Sequence, residues 1–132
     1  MKPGDELDWL LKGQILESLN QNEEALNSYK KAASLDPNNS DSWQNKAGLL
    51  AKTNKLDAAI SSYNRANELA PTQPVFIYNR GCAYSRKGDK TNALADLEKA
   101  VSMNQQFKEY ASKDEDFKSL WEDADFKKII SQ

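Results

Sequence analysis

A spacing of 34 residues governs this sequence. Ala59, Tyr63, Ala66, Leu69 and Pro71 are preceded at that distance by Ala25, Tyr29, Ala32, Leu35 and Pro37, and followed by Ala93, Leu97, Ala100, Met103 and Gln105. A period of this length marks a chain built from one supersecondary unit copied in tandem. Within each copy an Ala-x6-Ala pattern encloses a Tyr or a Leu. Small residues two turns apart on one helix face let a neighbouring helix approach closely, and the larger side chain fills the space beside the contact.

The same offset links Asn20, Asn54 and Gly88. These residue types tolerate a left-handed backbone, so three alike turns are expected, each joining two helices. Helices are predicted at about 6–19, 22–35, 40–52, 56–69, 74–87 and 90–103. Glu23 and Glu24 stand in a first turn, where the helix dipole favours negative charge. Asp36-Pro37 ends one helix, and Pro74 opens another, where its missing N–H costs nothing. Residues 1–5, with Pro3 and Gly4, read as a short frayed lead.

The period stops after Asn104, but helical patterning continues through Phe107, Tyr110 and Ala111. Two short helices are then expected, each opened by an acid: Asp114 ahead of Phe117 and Leu120, and Asp123 ahead of Phe126, Ile129 and Ile130. A tandem array needs such a cap, because its last unit otherwise exposes the apolar face that a following unit would cover. Trp121 is expected to pin this tail.

Residues suited to chemistry are scarce. There are no histidines and one cysteine, Cys82, so the usual general base, a zinc site and a Cys-His dyad are all missing. The acids from Asp114 to Asp116 and from Glu122 to Asp125 lack the glycine and closing glutamate of a calcium loop, and helix capping accounts for them. The glycines are isolated rather than gathered in a phosphate loop. Neither a metal, a cofactor nor enzymatic activity is expected. A net charge of -2 without a basic block offers little to a nucleic-acid backbone or an anionic membrane. No apolar run approaches the roughly 18 residues of a membrane span, and the start shows no apolar signal segment, so a cytoplasmic location is expected.

Trp9, Gly13, Ala25, Tyr29, Ala32 and Pro37, then Trp43, Ala47, Ala59, Tyr63, Ala66 and Pro71, then Gly81, Tyr84, Ala93 and Ala100 follow the pattern of the tetratricopeptide repeat. The chain resembles that family over about residues 6–105. Leu16, Leu50, Ile77 and Leu97 depart from the pattern conservatively. Lys12, Lys46 and Arg80 stand where the family has Leu, and their stems are expected to lie along the stack with the charge in water. The resemblance implies an all-α, right-handed α-solenoid of three helix-turn-helix repeats, about 6–39, 40–73 and 74–107, with a C-terminal helical cap at 107–130. Residues 1–132 are read as a single domain.

In this family the first helix of each pair lines the concave side. The resemblance therefore implies a peptide-binding face made of Leu7, Leu10 and Gln14, of Gln44 and Asn45, and of Val75, Tyr78, Asn79 and Arg86. Asn45 and Asn79 resemble the asparagine ladder by which some members hold a peptide backbone, each amide offering a donor and an acceptor. Members that bind the acidic C-termini of heat-shock chaperones use two Lys, two Asn and one Arg. The corresponding residues here are Leu10, Gln14, Asn45, Val75 and Asn79, and only Asn45 matches, so a terminal carboxylate would lose its charge-assisted bonds. The implied function is a non-catalytic scaffold that binds an extended, largely uncharged peptide. The alternative is a self-associating module, because Leu7, Leu10, Leu11 and Ile15 give the first helix an apolar face.

Overall fold

A computed structural model describes residues 5–131, all helix and turn, with no strand among them. The chain divides into two compact units, Met1–Pro71 and Thr72–Gln132. The first holds α1 (Asp5–Ser18), α2 (Asn22–Leu35), α3 (Ser40–Lys52) and α4 (Leu56–Leu69). The second holds α5 (Pro74–Lys87), α6 (Lys90–Met103), α7 (Phe107–Lys113), a 3₁₀ helix (Glu115–Leu120) and α8 (Ala124–Ser131). The expected lead lies outside the described residues up to Gly4, and Asp5 already opens α1.

The three turns are built alike. Asn20, Asn54 and Gly88 have φ of 59°, 64° and 89°. One residue later the N–H donates back across the helix end, Gln21 to the Leu16 carbonyl, Lys55 to Leu50 and Asp89 to Tyr84, at 2.8–2.9 Å. That bond and the left-handed residue before it form a Schellman turn, which satisfies otherwise orphaned carbonyls and reverses the chain. Each turn returns the second helix of a pair against the first. The face so closed is the small-residue face: Ala25, Ala32, Ala59, Ala66, Ala93 and Ala100 are all fully buried.

In the first unit Leu10, Ala25, Tyr29, Ala32 and Leu49 form one core cluster, with Trp9, Leu16 and Leu26 against it. Ala47, Leu50, Ala59 and Tyr63 form another. Trp9 and Trp43 are half-buried. Their outer faces carry Lys12 and Lys46, whose ammonium groups lie 4.9 and 5.0 Å from the ring centroids, so these two stems lie along the repeat as expected. Burial, and then Lys30, holds the Lys46 ammonium below the ordinary lysine range. Arg80 behaves differently. Its charge does not go to water, because it donates twice to buried Asp96, from Nε at 2.8 Å and from the terminal nitrogen at 2.7 Å. A buried carboxylate needs such a partner, and bidentate geometry supplies it.

The second unit is one core. Tyr78, Cys82, Leu97 and Val101 meet Phe107, Phe117, Leu120, Phe126 and Ile129. Phe107 stacks on Tyr78 with centroids 4.7 Å apart, and Phe117 sits 5.6 Å from Tyr78. Asp114 and Asp123 cap the tail helices as expected, accepting from the Asp116 N–H at 3.0 Å and from the Asp125 N–H at 2.9 Å. The first of those helices is 3₁₀ rather than α. Trp121 packs on the cluster and donates its indole N–H to the Ala111 carbonyl at 3.1 Å. Tyr110, expected among the covering residues, is instead exposed, its ring edge-on to Phe107.

Two glycines in equivalent helices should respond oppositely to alanine. A Cβ on Gly13 would lie 2.5 Å from Cε1 of Tyr29, whose ring is fully buried, whereas one on Gly48 meets only the Tyr63 hydroxyl at 3.8 Å. In urea unfolding Gly13→Ala should cost about 1–3 kcal/mol, and Gly48→Ala should add about 0.5–1 kcal/mol. Equal effects would contradict the close approach at Gly13. Truncation after Asn104 strips the cover from Tyr78, Leu97 and Val101. Each large side chain so exposed costs about 1.5–3 kcal/mol, together comparable with a domain's net stability. A truncated chain melting within a few degrees of the full one would show that the tail is not structural.

Candidate functional site

The residues expected on the ligand face fall into separate surroundings within the two units. In the first, Gln14 of α1 and Asn45 of α3 come together with Glu17, Ser18, Tyr29 and Lys52 around a shallow cavity of about 290 Å³. Asn45 spends one amide N–H on the Asp41 carbonyl at 2.8 Å, which fixes its rotamer. Glu17 accepts from the Tyr29 hydroxyl at 2.8 Å and lies 3.8 Å from the Lys52 ammonium. Burial first, and then this bond to Glu17, pushes the Tyr29 phenol well above its usual range. Charge at this surface is therefore already paired. Leu10 is not on it, being buried with Tyr29 and Leu49. Leu7 stays exposed and Gln44 half-buried, and neither lines the cavity.

In the second unit Val75, Tyr78 and Asn79 of α5 share a cavity of about 620 Å³ with Phe107, Glu109, Tyr110, Lys113 and Asp114. Its walls are largely apolar: Val75 and Tyr110 are exposed, and Phe107 lies between the rings of Tyr78 and Tyr110. Tyr78 is buried, so it forms a floor rather than a reaching side chain. Its hydroxyl donates to Asp114 at 2.8 Å, and burial, ahead of Cys82 and Asp114, pushes the phenol up. Lys113 pairs with Glu109 at 3.2 Å at the rim. Arg86 lies elsewhere, 3.8 Å from the Asp116 carboxylate, around a different cavity with Ser85 and Lys118. Phe107 and Tyr110 were assigned from the sequence to the cap alone. The signal that places them here is their spacing of three on α7, which sets both rings beside α5.

Among the described residues Cys82, Asp114 and Asp116 are the one group whose sulfur and oxygens lie close enough to share an ion, within 4.8 Å. Each already has a role. Asp114 accepts from Tyr78 and from the Asp116 N–H, and Arg86 faces Asp116. Burial, then Asp114 and Asp116, pushes the Cys82 thiol up. The group ties α5 to the tail.

The tetratricopeptide-repeat pattern matches residues 10–74 and again 76–107. The chain belongs to the tetratricopeptide repeat family. Solved structures agree with that membership. MamA has a TM-score of 0.79 at 24% identity, over 98% of this chain and 79% of that one. The first repeat domain of Spaghetti (RPAP3), bound to the HSP90 peptide SRMEEVD, has a TM-score of 0.77 at 20% identity, over 99% of this chain and 94% of that one. YrrB, described as a TPR protein with an unusual peptide-binding site, has a TM-score of 0.76 at 28% identity, over 86% of this chain and 58% of that one. Among curated proteins nothing matches. No helix among the described residues is long and apolar enough to cross a membrane.

The cover over Cys82 has a measurable consequence for this tetratricopeptide-repeat chain. Alkylation by iodoacetamide should run at least ~100-fold slower in the native chain than in urea, because the thiol reacts only through opening of the tail. Native and unfolded rates within a factor of about ten would contradict the packing of the tail on α5.

Proposed function

We propose that the chain is a non-catalytic protein-interaction scaffold that holds an extended, largely uncharged peptide segment on the first helices of its pairs. The observation that carries this reading is the apolar cavity between α5 and α7, where Val75 and the rings of Phe107 and Tyr110 stand beside the Asn79 amide. A largely apolar recess with the Asn79 amide at its edge and the Glu109–Lys113 pair at its rim suits a bulky peptide side chain whose own backbone is held by the amide. Gln14 and Asn45 offer amides of the same kind in the first unit. Peptide complexes among proteins of this fold, such as Spaghetti with its HSP90 peptide, support the class of ligand. The acidic sequence of that peptide does not transfer, since Leu10 and Val75 stand where a carboxylate clamp needs cations. Leu10 and Tyr78 act through the core that supports the surface.

Peptides selected from a displayed library of random 12-residue segments test the reading. They should carry a bulky apolar residue and bind with micromolar affinity, roughly -8 kcal/mol. Their affinity should hardly change with salt, because few exposed charges take part. Asn79→Ala with Tyr110→Ala should weaken binding by about 2–4 kcal/mol while leaving helicity intact. Affinity unchanged in that double variant, or falling steeply with salt, would contradict the site or the uncharged ligand.

A further inference from the structure

Among the described residues, four of the seven exposed large hydrophobics lie on α1 or directly after it. Leu7, Leu11, Ile15 and Leu19 recur every four residues and are 51–59% exposed. Leu19 follows the helix end but continues its turn, its N–H donating to the Ile15 carbonyl at 3.1 Å. Leu10 is absent from this stripe because it points into the core. The repeat register gives the stripe a meaning. The residue 34 positions after Ile15 is Leu49, which is only 1% exposed and packs with Leu10, Tyr29 and Ala32 of the first pair. On α3 this position seats one helix pair upon another. On α1 the same position is bare.

The character of the stripe selects its occupant. Reversing α1 about Gly13 places Leu7 opposite Leu19 and Leu11 opposite Ile15. The same reversal places Asp8 opposite Ser18 and Lys12 opposite Gln14 along the flanks of the stripe, while Glu17 and Trp9 face away from it towards Tyr29 and the core. Apolar side chains meet apolar ones, and no acid meets an acid. A twofold interface requires this self-complementarity, since each surface must accept its own copy. We infer that α1 is the interface of a symmetric homodimer, in which two copies dock their Leu7, Leu11, Ile15 and Leu19 stripes antiparallel across a twofold axis. The contact is separate from the cavity between α5 and α7.

Sedimentation equilibrium from about 1 to 500 µM, a range suited to an interface of modest size, tests this. The average mass should climb from the 14.9 kDa of one chain towards twice that value. Leu11→Glu with Ile15→Glu should hold the mass at one chain throughout, with an unchanged circular dichroism melt because both residues are exposed. Ser18→Lys, which meets Asp8 of the second copy, should tighten the dimer several-fold. Ser18→Asp should loosen it by a similar factor. A wild-type mass constant at 14.9 kDa overturns the proposal, including the case where the stripe instead holds a different protein. Dimers that survive the double variant overturn the surface. Equal responses to Ser18→Lys and Ser18→Asp overturn the antiparallel register.

Discussion

Close approach of two helix backbones over alanine is the contact on which everything else rests. The six alanines of the repeat are fully buried, and a side chain larger than a methyl at any of them would push a helix pair apart. Tyr29, Tyr63 and Leu97 sit between those alanines and take up the volume left beside the contact. Gly13 extends the same logic, since Tyr29 occupies the space where its Cβ would be. The turns serve this contact. Because Asn20, Asn54 and Gly88 adopt the same left-handed conformation and close the same hydrogen bond, each second helix returns in one register.

The proposed peptide site lies on what that packing leaves over. The cavity beside Val75 and Asn79 exists because α7 lays Phe107 on Tyr78 but leaves Tyr110 outside, so a helix added for stability also supplies a wall. Ion pairs quiet the polar surroundings: Glu17 with Lys52, Lys113 with Glu109, and Arg86 with Asp116. Exposed pairs of this kind contribute little stability. Their effect is to leave few unpaired charges on these surfaces, in keeping with the uncharged peptide proposed as ligand.

The family, the six repeat helices, the three turns and the capping acids were legible in the sequence, for one physical reason. Each is specified by short-range periodicity, by left-handed backbone tolerance or by a side chain bonding its own chain a few residues away. The 34-residue offset repeated that local information three times. Side-chain environments were another matter. Leu10 and Tyr78 read as ligand-facing but are buried, Tyr110 read as cover but is exposed, and Arg80 read as solvent-reaching but grips Asp96. Helical spacing assigns a residue to a sector, and only neighbouring elements determine whether that sector is covered. The partner 16 residues away that claims Arg80, and the Asp114 carboxylate that claims the Tyr78 hydroxyl from 36 residues away, are tertiary facts. Local pattern thus determined which segments are helical and how they turn, while tertiary packing alone decided which faces remain free to bind.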